Sequence, residues 1–216
     1  IIIAAGGTGG HLYPAIALAR EFLRRDSSTK ILFIGTSRGV ESRVLAHEGF
    51  ELALITAKPV MGKRLLDVVQ AMLSLPVGIW QSWQVLRRRR ADLVIGVGGY
   101  TSPTVLVAAA LMGIPRVILE PNAYPGLANK VVGPFAQRIF LAFESAATFF
   151  DRRNAQVVGT PIRREFLGQE SESQGMVKVN GRHLLIFGGS QGAQAINSAV
   201  LEGLPLLMAR VPTLTI

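Results

Sequence analysis

The feature that most constrains this chain is the regular alternation of short β-branched runs with longer helical stretches. Strands are predicted at residues 1–5, 31–34, 51–55, 93–97, 116–119 and 138–141. Helices are predicted at residues 14–25, 40–47, 65–89, 104–111 and 126–132. This order is typical of βαβ units, in which helices cover both faces of a parallel sheet. The sequence therefore predicts an α/β fold built from Rossmann-like domains.

A second, shorter βαβ unit follows a polar connection. A break is predicted after Gly159-Thr160-Pro161, and residues 168–181 are polar and poor in large apolar side chains. A strand at 183–187, a helix at 193–203 and a strand at 211–216 come next. One βαβ unit alone would leave a sheet edge unpaired and much apolar surface in water. We therefore expect a complete domain at residues 1–161 and the start of a truncated second domain at residues 162–216.

The net charge of +9 points to an anionic partner: nucleic acid, phospholipid or a phosphorylated substrate. Residues 58–90 hold seven Lys or Arg side chains against Asp67, a local charge of +6, so the rest of the chain is nearly neutral. The absence of cysteine excludes disulfides and thiolate metal sites, and it fits a reducing cytosol. No apolar run reaches the 18 or so residues that a membrane-spanning helix needs.

Three glycine-rich turns each join a strand to a helix, in IIIAAGGTGGH from Ile1, LVIGVGGYTS from Leu93 and LLIFGGSQGA from Leu184. Glycines let backbone N–H groups close on a phosphate, and a helix N-terminus adds free donors. The hydroxyls of Thr8, Ser102 and Ser190 would be further donors. The alternative is a set of ordinary tight turns. Neither the G-x-G-x-x-G pattern nor a P-loop lysine is present, so a dehydrogenase or NTPase is poorly supported.

The segment 65–90 combines a broad apolar face with a basic end. Apolar residues follow helical 3,4 spacing at Leu65, Val69, Met72, Pro76, Ile79, Trp83 and Leu86, and Leu66, Leu73, Val77 and Trp80 widen that face. Four arginines, at positions 87–90, follow directly. Tryptophan next to basic residues is typical of segments that meet anionic lipid, which predicts membrane contact through Trp80, Trp83, Arg87 and Arg88. The alternative is a core helix with a solvated basic end.

Five motifs occur in order along nearly the whole chain: GGTGGH at 6–11, GVGGYTS at 96–102, EPNAYPGLANK at 120–130, VVGTPIR at 157–163 and GGSQGA at 188–193. Together they resemble the MurG family, in glycosyltransferase family 28. The resemblance implies a GT-B fold, with a lipid-linked acceptor on the N-terminal domain and UDP-N-acetylglucosamine on the C-terminal one. It implies an inverting transfer of N-acetylglucosamine to undecaprenyl-diphospho-N-acetylmuramoyl-pentapeptide (lipid I to lipid II) in peptidoglycan synthesis. The enzyme would lie on the cytoplasmic face of the bacterial inner membrane.

The resemblance also assigns roles to residues. Donor contacts are implied for Thr8, Gly9, Gly10, Asn122, Arg163 and Ser190. Contacts with the acceptor diphosphate are implied for Gly7, Gly98, Gly99, Tyr100 and Ser102. His11 at a helix start could take the proton of the attacking hydroxyl, with Glu120 as the competing base and a purely structural histidine as the alternative. Arg163 could grip a diphosphate with two hydrogen bonds, or be a surface residue of a linker.

The chain departs from the family where Leu119-Glu120-Pro121-Asn122 replaces the usual His-Glu-Gln-Asn, and Pro121 removes one backbone donor. No clustered carboxylate motif is present, so no cofactor is expected and any stimulation by a divalent cation would not use a protein metal site. Because uridine recognition should lie after Ile216, the 216-residue chain alone is expected to be inactive.

Two other functions stay open. One is a transferase of the same fold that acts on another lipid acceptor, such as diacylglycerol. The other is a basic, Rossmann-like protein that binds nucleic acid or another anion. The sequence has no helix-turn-helix and no aromatic residues interleaved with basic ones on a strand, and we expect no nucleic-acid partner.

Overall fold

A computed structural model describes residues 1–7, 9–37, 41–58, 65–166, 182–188 and 193–215 of the protein. Thr8, Ser190 and the polar connection at 168–181 lie outside the described residues, as do the side chains at 65–72. The chain divides into two compact units, Ile1–Leu167 and Gly168–Ile216.

The first unit is built on a seven-stranded sheet in which every neighbouring pair is parallel. The strands are β1 Ile2–Ala5, β2 Leu32–Gly35, β3 Glu51–Leu54, β4 Val94–Gly98, β5 Arg116–Glu120, β6 Arg138–Leu141 and β7 Ala155–Val157. Their spatial order is β3-β2-β1-β4-β5-β6-β7. The predicted α/β class and six of these strands are confirmed. The edge strand β7 was not predicted, because three mostly exposed residues give no apolar run.

Five helices connect the strands: α1 Gly9–Arg25, α2 Glu41–His47, α3 Leu65–Arg89, α4 Ser102–Leu111 and α5 Leu127–Val132. All five were predicted, most of them to within two residues. The exception is α1, which begins five residues before the predicted start at Pro14. Proline commonly marks the first position of a helix, but here Pro14 is buried in the second turn of α1. The earlier start places His11 inside the helix.

Helices cover both faces of the sheet, because successive side chains of a strand point to opposite faces. Ile3 and Ala5 of β1 pack with Leu12 and Ile16 of α1 and Leu45 of α2. On the other face, Ile2 and Ala4 of β1 join a core that α3, α4 and α5 cover through Leu86, Val105, Leu106 and Val132. The result is a three-layer sandwich with a core on each side of the sheet.

The order of the strands reverses between β1 and β4. From β1 the chain runs outward to β2 and β3, then returns to β4 and continues to β7. In open parallel sheets, the crevice at the carboxyl ends of strands beside such a reversal is where ligands bind. The carboxyl ends of β1, β4 and β5 are therefore the place to look for a site.

The face of α3 differs from the one that the sequence predicted. Leu86 is fully buried, and Ile79 and Val85 pack against the core. Exposed apolar side chains lie instead at Leu73, Val77, Trp80 and Trp83. Placing Ile79, Trp83 and Leu86 on one apolar face was wrong, because Ile79 and Leu86 belong to the inner side of the helix and Trp83 to the outer side. Among the described residues, no helix is long and apolar enough to cross a membrane.

The second unit contains one parallel βαβ element, as predicted. Strand β8, Arg182–His183, pairs with β9, Leu214–Thr215, and α6, Gln194–Arg210, connects them. The helix is longer than predicted and the strands are shorter. No residue of α6 is buried, which is expected when only two short strands are available to cover a helix of this length.

The two sides of α3 should respond differently to truncation. We expect Leu86→Ala to lower the free energy of unfolding by about 2–5 kcal/mol, because it removes a fully buried side chain. Leu73→Ala, on the same helix but exposed, should change it by less than about 0.5 kcal/mol. Urea denaturation followed by circular dichroism would measure both. Equal losses for the two variants would contradict this orientation of α3.

Candidate active site

Two glycine-rich turns meet at the carboxyl ends of β1 and β4. Gly99 has a φ of +76°, and a Cβ there would lie 2.0 Å from the carbonyl oxygen of Gly6. Gly7 and Gly98 also have positive φ angles, of +94° and +111°. Glycine adopts such angles at no steric cost. The turns therefore touch backbone to backbone, at a distance that excludes any side chain at Gly99.

The amide of Gly7, predicted to contact a phosphate, is already engaged. It donates a hydrogen bond of 2.7 Å to Oε1 of Glu41, a fully buried residue at the start of α2. Tyr100 lies beside the same turn, and its hydroxyl is 3.0 Å from the hydroxyl of Thr36. Sequence reasoning did not select Glu41, since an acidic residue in the first turn of a helix is ordinarily explained by the helix dipole.

Ser102 has a hydroxyl that is committed to the backbone. Its Oγ accepts a hydrogen bond from the Gly98 amide at 2.9 Å, and its hydrogen faces the carbonyl oxygens of Gly98 at 2.8 Å and Ala4 at 3.0 Å. The residue is fully buried. In this structure Ser102 therefore ties the second glycine-rich turn to β1.

His11 lies in the first turn of α1 and packs against the second glycine-rich turn. A Cβ on Gly98 would be 2.8 Å from Cδ2 and 2.9 Å from Nε2 of the imidazole. Burial lowers the pKa of His11 below its ordinary value of 6.5, and the negative charge of Glu120 opposes part of that shift. The neutral imidazole, which is the form that accepts a proton, is therefore favoured at neutral pH.

Glu120 ends β5 and is completely buried. Its Oε1 accepts from the backbone and side-chain nitrogens of Asn122, at 2.9 and 2.8 Å. Its Oε2 accepts from the Gly126 amide at 3.1 Å and from Nδ2 of Asn129 at 2.9 Å. Four donors occupy the four lone-pair positions of the carboxylate. None of the four donors comes from Pro121. The missing N–H of this proline therefore does not prevent the loop after β5 from closing around Glu120.

Arg163 is exposed and lies beside α1. Its guanidinium carbon is 5.3 Å from the ring centroid of Tyr13 and 5.0 Å from that of Phe166, within cation–π range. Tyr13 in turn packs over Gly9, the first residue of α1, because a Cβ on Gly9 would be 3.2 Å from its ring. Tyr13, which the sequence did not single out, therefore connects Arg163 to the helix start that carries Gly9 and Gly10.

The structure thus gathers most of the predicted site residues at one edge of the sheet. Around the β1, β4 and β5 ends lie Gly7, Gly9, Gly10, His11, Gly98, Gly99, Tyr100, Ser102, Glu120 and Asn122. Thr8 and Ser190 lie outside the described residues, so their roles stay predictions. In the part of the chain that the structure describes, no group of three or more His, Asp and Glu side chains could hold a metal ion.

The backbone contact between the turns gives a stability test with a matched control. Gly49 has nearly the same φ as Gly99, +75°, but a Cβ there would meet nothing within 4 Å. Gly49→Ala should therefore cost only the backbone term, about 1–2 kcal/mol. Gly99→Ala adds a clash with the Gly6 carbonyl and should cost at least about 2 kcal/mol more in urea denaturation. Equal costs would show that the turns do not touch.

Comparisons with known proteins point in the same direction. The chain is 45% identical to the UDP-N-acetylglucosamine--N-acetylmuramyl-(pentapeptide) pyrophosphoryl-undecaprenol N-acetylglucosamine transferase of Syntrophus aciditrophicus, over 96% of the chain and 57% of the relative. Its identity to the Myxococcus xanthus protein of the same name is 44%, over 96% of the chain and 54% of that relative. The chain spans just over half the length of these curated relatives.

A solved structure and a family model agree with these relatives. The crystal structure of Acinetobacter baumannii MurG superimposes with a TM-score of 0.72 at 27% identity, over 94% of this chain and 56% of that one. The model for the glycosyltransferase family 28 N-terminal domain matches residues 1–141, a range that ends with β6 and includes both contacting glycine-rich turns, His11 and Glu120. The chain therefore belongs to glycosyltransferase family 28.

Proposed function

We propose that this chain is the acceptor-binding part of a transferase that moves N-acetylglucosamine from UDP-N-acetylglucosamine to undecaprenyl-diphospho-N-acetylmuramoyl-pentapeptide, in peptidoglycan synthesis. The names of the relatives support this reaction. The observation that carries the proposal is the position of His11. Its half-buried imidazole, whose pKa is lowered, packs against a glycine-rich turn at the place where the strand order of the sheet reverses.

His11 is the proposed general base. The imidazole takes the proton of the attacking acceptor hydroxyl while the new bond to the anomeric carbon forms and the bond from that carbon to UDP breaks. This single displacement inverts the anomeric centre and needs no nucleophile from the protein. Base catalysis of this kind typically contributes about 10²–10⁴-fold to the rate.

Glu120 is proposed to support His11 rather than to compete with it. Four hydrogen bonds already occupy its oxygens, so no lone pair is left for a substrate proton. Its negative charge raises the pKa of His11 against the effect of burial. The same charge would stabilise the imidazolium that forms when His11 accepts a proton.

The remaining polar groups are proposed to bind the two substrates. Gly99 and Tyr100 would meet the acceptor diphosphate directly. Gly7, Gly98 and Ser102 would support them from within the protein, because the Gly7 amide is bonded to Glu41 and the Gly98 amide to Ser102. The amides of Gly9 and Gly10 at the start of α1 would meet the donor, with Asn122 and Arg163. Thr8 and Ser190 would complete the donor contacts. Tyr13 and Phe166 would hold the Arg163 guanidinium, whose fork suits a leaving diphosphate.

The outer face of α3 is proposed to meet an anionic membrane. Leu73 and Trp80 are 71% and 61% exposed, and Val77 and Trp83 lie on the same side of the helix. Arg87, Arg88 and Arg90 are exposed at its basic end, while Arg89 is paired with Glu51. An apolar face that ends in cations suits peripheral attachment to anionic lipid. Attachment at the cytoplasmic leaflet would bring the site to its lipid-linked acceptor.

The base can be tested in the complete reading frame by steady-state kinetics. His11→Ala should lower kcat by about 10²-fold or more with little change in the KM for UDP-N-acetylglucosamine. In the parent enzyme the neutral imidazole is the active form. The parent kcat/KM should therefore fall as the pH drops through the lowered pKa of His11, below 6.5.

His47→Ala is the matched control, because His47 is exposed on α2, and it should leave kcat and the pH profile unchanged. A His11→Ala enzyme with the parent kcat would refute the assignment of the base. Failure of the parent enzyme to transfer the sugar to the lipid-linked acceptor would refute the proposed reaction.

Vesicle sedimentation tests the membrane face. Changing Arg87, Arg88 and Arg90 to Gln should weaken binding to anionic vesicles roughly a hundredfold at low salt, since each cation near the surface contributes about 1 kcal/mol. Changing Trp80 and Trp83 to Ala should remove the apolar part of the binding, which salt does not screen. The binding that remains is electrostatic, so added salt should abolish it.

The control for charge replaces three exposed arginines elsewhere, Arg43, Arg152 and Arg164, with Gln and should bind nearly as the parent does. Equal weakening by both triple substitutions would mean that net charge alone attracts the protein. Stronger binding to duplex DNA than to anionic vesicles would instead favour a nucleic-acid partner.

A further inference from the structure

Glu41 is an acidic residue whose burial should lower the stability of the fold. It is fully buried, yet the described residues supply its carboxylate with one hydrogen bond, from the Gly7 amide to Oε1 at 2.7 Å. Its Oε2 is buried and has no partner among them. Burying a carboxylate with so few donors is destabilising, and an apolar residue of similar size would avoid this cost. The stability of the fold therefore does not explain an acid at this position.

Thr101 presents a second unpartnered group at the same place. Its Oγ1 is buried and has no hydrogen-bond partner among the described residues. A Cβ on Gly6 would lie 2.8 Å from Oε1 of Glu41 and 2.9 Å from Oγ1 of Thr101. A carboxylate and a hydroxyl thus flank the same glycine, close enough for a rotation of either side chain or one water molecule to join them.

These two residues belong to different halves of the site. Glu41 holds the first glycine-rich turn through Gly7, and Thr101 ends the second turn, directly before α4. Gly6, whose carbonyl oxygen packs against Gly99, lies between them. A link between Glu41 and Thr101 would therefore fix the first turn relative to the second, and with it the backbone of Gly99 and Tyr100, which is proposed to meet the acceptor diphosphate.

We propose that Glu41 and Thr101 are positioning residues for the acceptor diphosphate. Glu41 draws the Gly7 amide inward, and through Thr101 it sets the relative position of the two turns, so the diphosphate meets donors that are already in place. Binding is tighter when donors need no rearrangement. This inference rests on the proposed function, because it assigns the paired turns to the diphosphate of a lipid-linked acceptor.

The test measures direct binding of undecaprenyl diphosphate in detergent micelles to the full-length enzyme, together with the KM values of acceptor and donor. Glu41→Ala should weaken diphosphate binding about tenfold, the effect of losing roughly one hydrogen bond. The acceptor KM should rise in parallel, and by more than the donor KM, because Glu41 is bonded to Gly7, whereas the proposed donor contacts at Gly9 and Gly10 belong to α1.

Two conservative variants separate positioning from folding. Glu41→Gln keeps an oxygen for the Gly7 amide and gains an N–H for Thr101, so it should bind within about threefold of the parent. Thr101→Val removes an unpartnered hydroxyl at constant shape, so its melting temperature should equal or exceed that of the parent. Its diphosphate affinity should nevertheless fall several-fold, whereas Thr101→Ser should restore it.

The outcomes are distinct. Parent-like diphosphate binding by Glu41→Ala and Thr101→Val would overturn the proposal. Glu41→Gln binding about tenfold tighter than the parent would also overturn it, because Glu41 would then act as an internal anion that competes with the diphosphate. If the parent does not transfer the sugar, the proposed function fails, and the direct binding measurement still decides the role of Glu41.

Discussion

The contact between the Gly6 carbonyl and Gly99 is the constraint on which the rest of the site depends. It exists because β1 and β4 are adjacent parallel strands, so their carboxyl ends deliver two turns to the same place. Glycine at both turns lets the backbones approach more closely than any side chain would permit. His11 and the backbone of Gly98 and Gly99, which lie at this edge, are therefore positioned relative to that contact.

The same edge contains two buried acids that are stabilised very differently. Glu120 accepts four hydrogen bonds, which is what a buried carboxylate requires. Glu41 accepts one from the described residues. A full set of hydrogen bonds suits Glu120, which holds a loop in place and supplies a negative charge near His11. Incomplete satisfaction is tolerated in proteins mainly where a site requires it, because it costs stability wherever it occurs.

The helix that carries His11 and the helix with the exposed apolar side lie on opposite faces of the sheet. The face covered by α1 brings His11 to the edge, whereas the opposite face carries α3, whose inner side completes the core at Leu86. The outer side of α3 is apolar at Leu73, Val77 and Trp80 and has no neighbour among the described residues to cover it. Within the first unit, α3 combines these exposed apolar side chains with three arginines in its last turn.

The sequence by itself determined the fold class, the order of the strands and helices along the chain, and the glycine-rich turns after β1 and β4, because these follow from local periodicity and from residues with special backbone freedom. Its motifs also selected His11, Glu120 and Arg163 as candidate site residues, and those roles stay predictions. The sequence could not find β7, whose residues carry no apolar pattern, nor the earlier start of α1 before Pro14. It also could not divide Ile79, Trp83 and Leu86 between core and solvent.

Only the tertiary structure decided which groups at the site are free and which are already used. The amide of Gly7 is taken by Glu41, a residue 34 positions away, and the hydroxyl of Ser102 is committed in part to Ala4, 98 positions away. Neither contact can be predicted from the local sequence, because hydrogen bonds between distant segments depend on how the strands that carry them pack. A motif therefore names the groups that could bind a ligand, and the fold determines which of them still can.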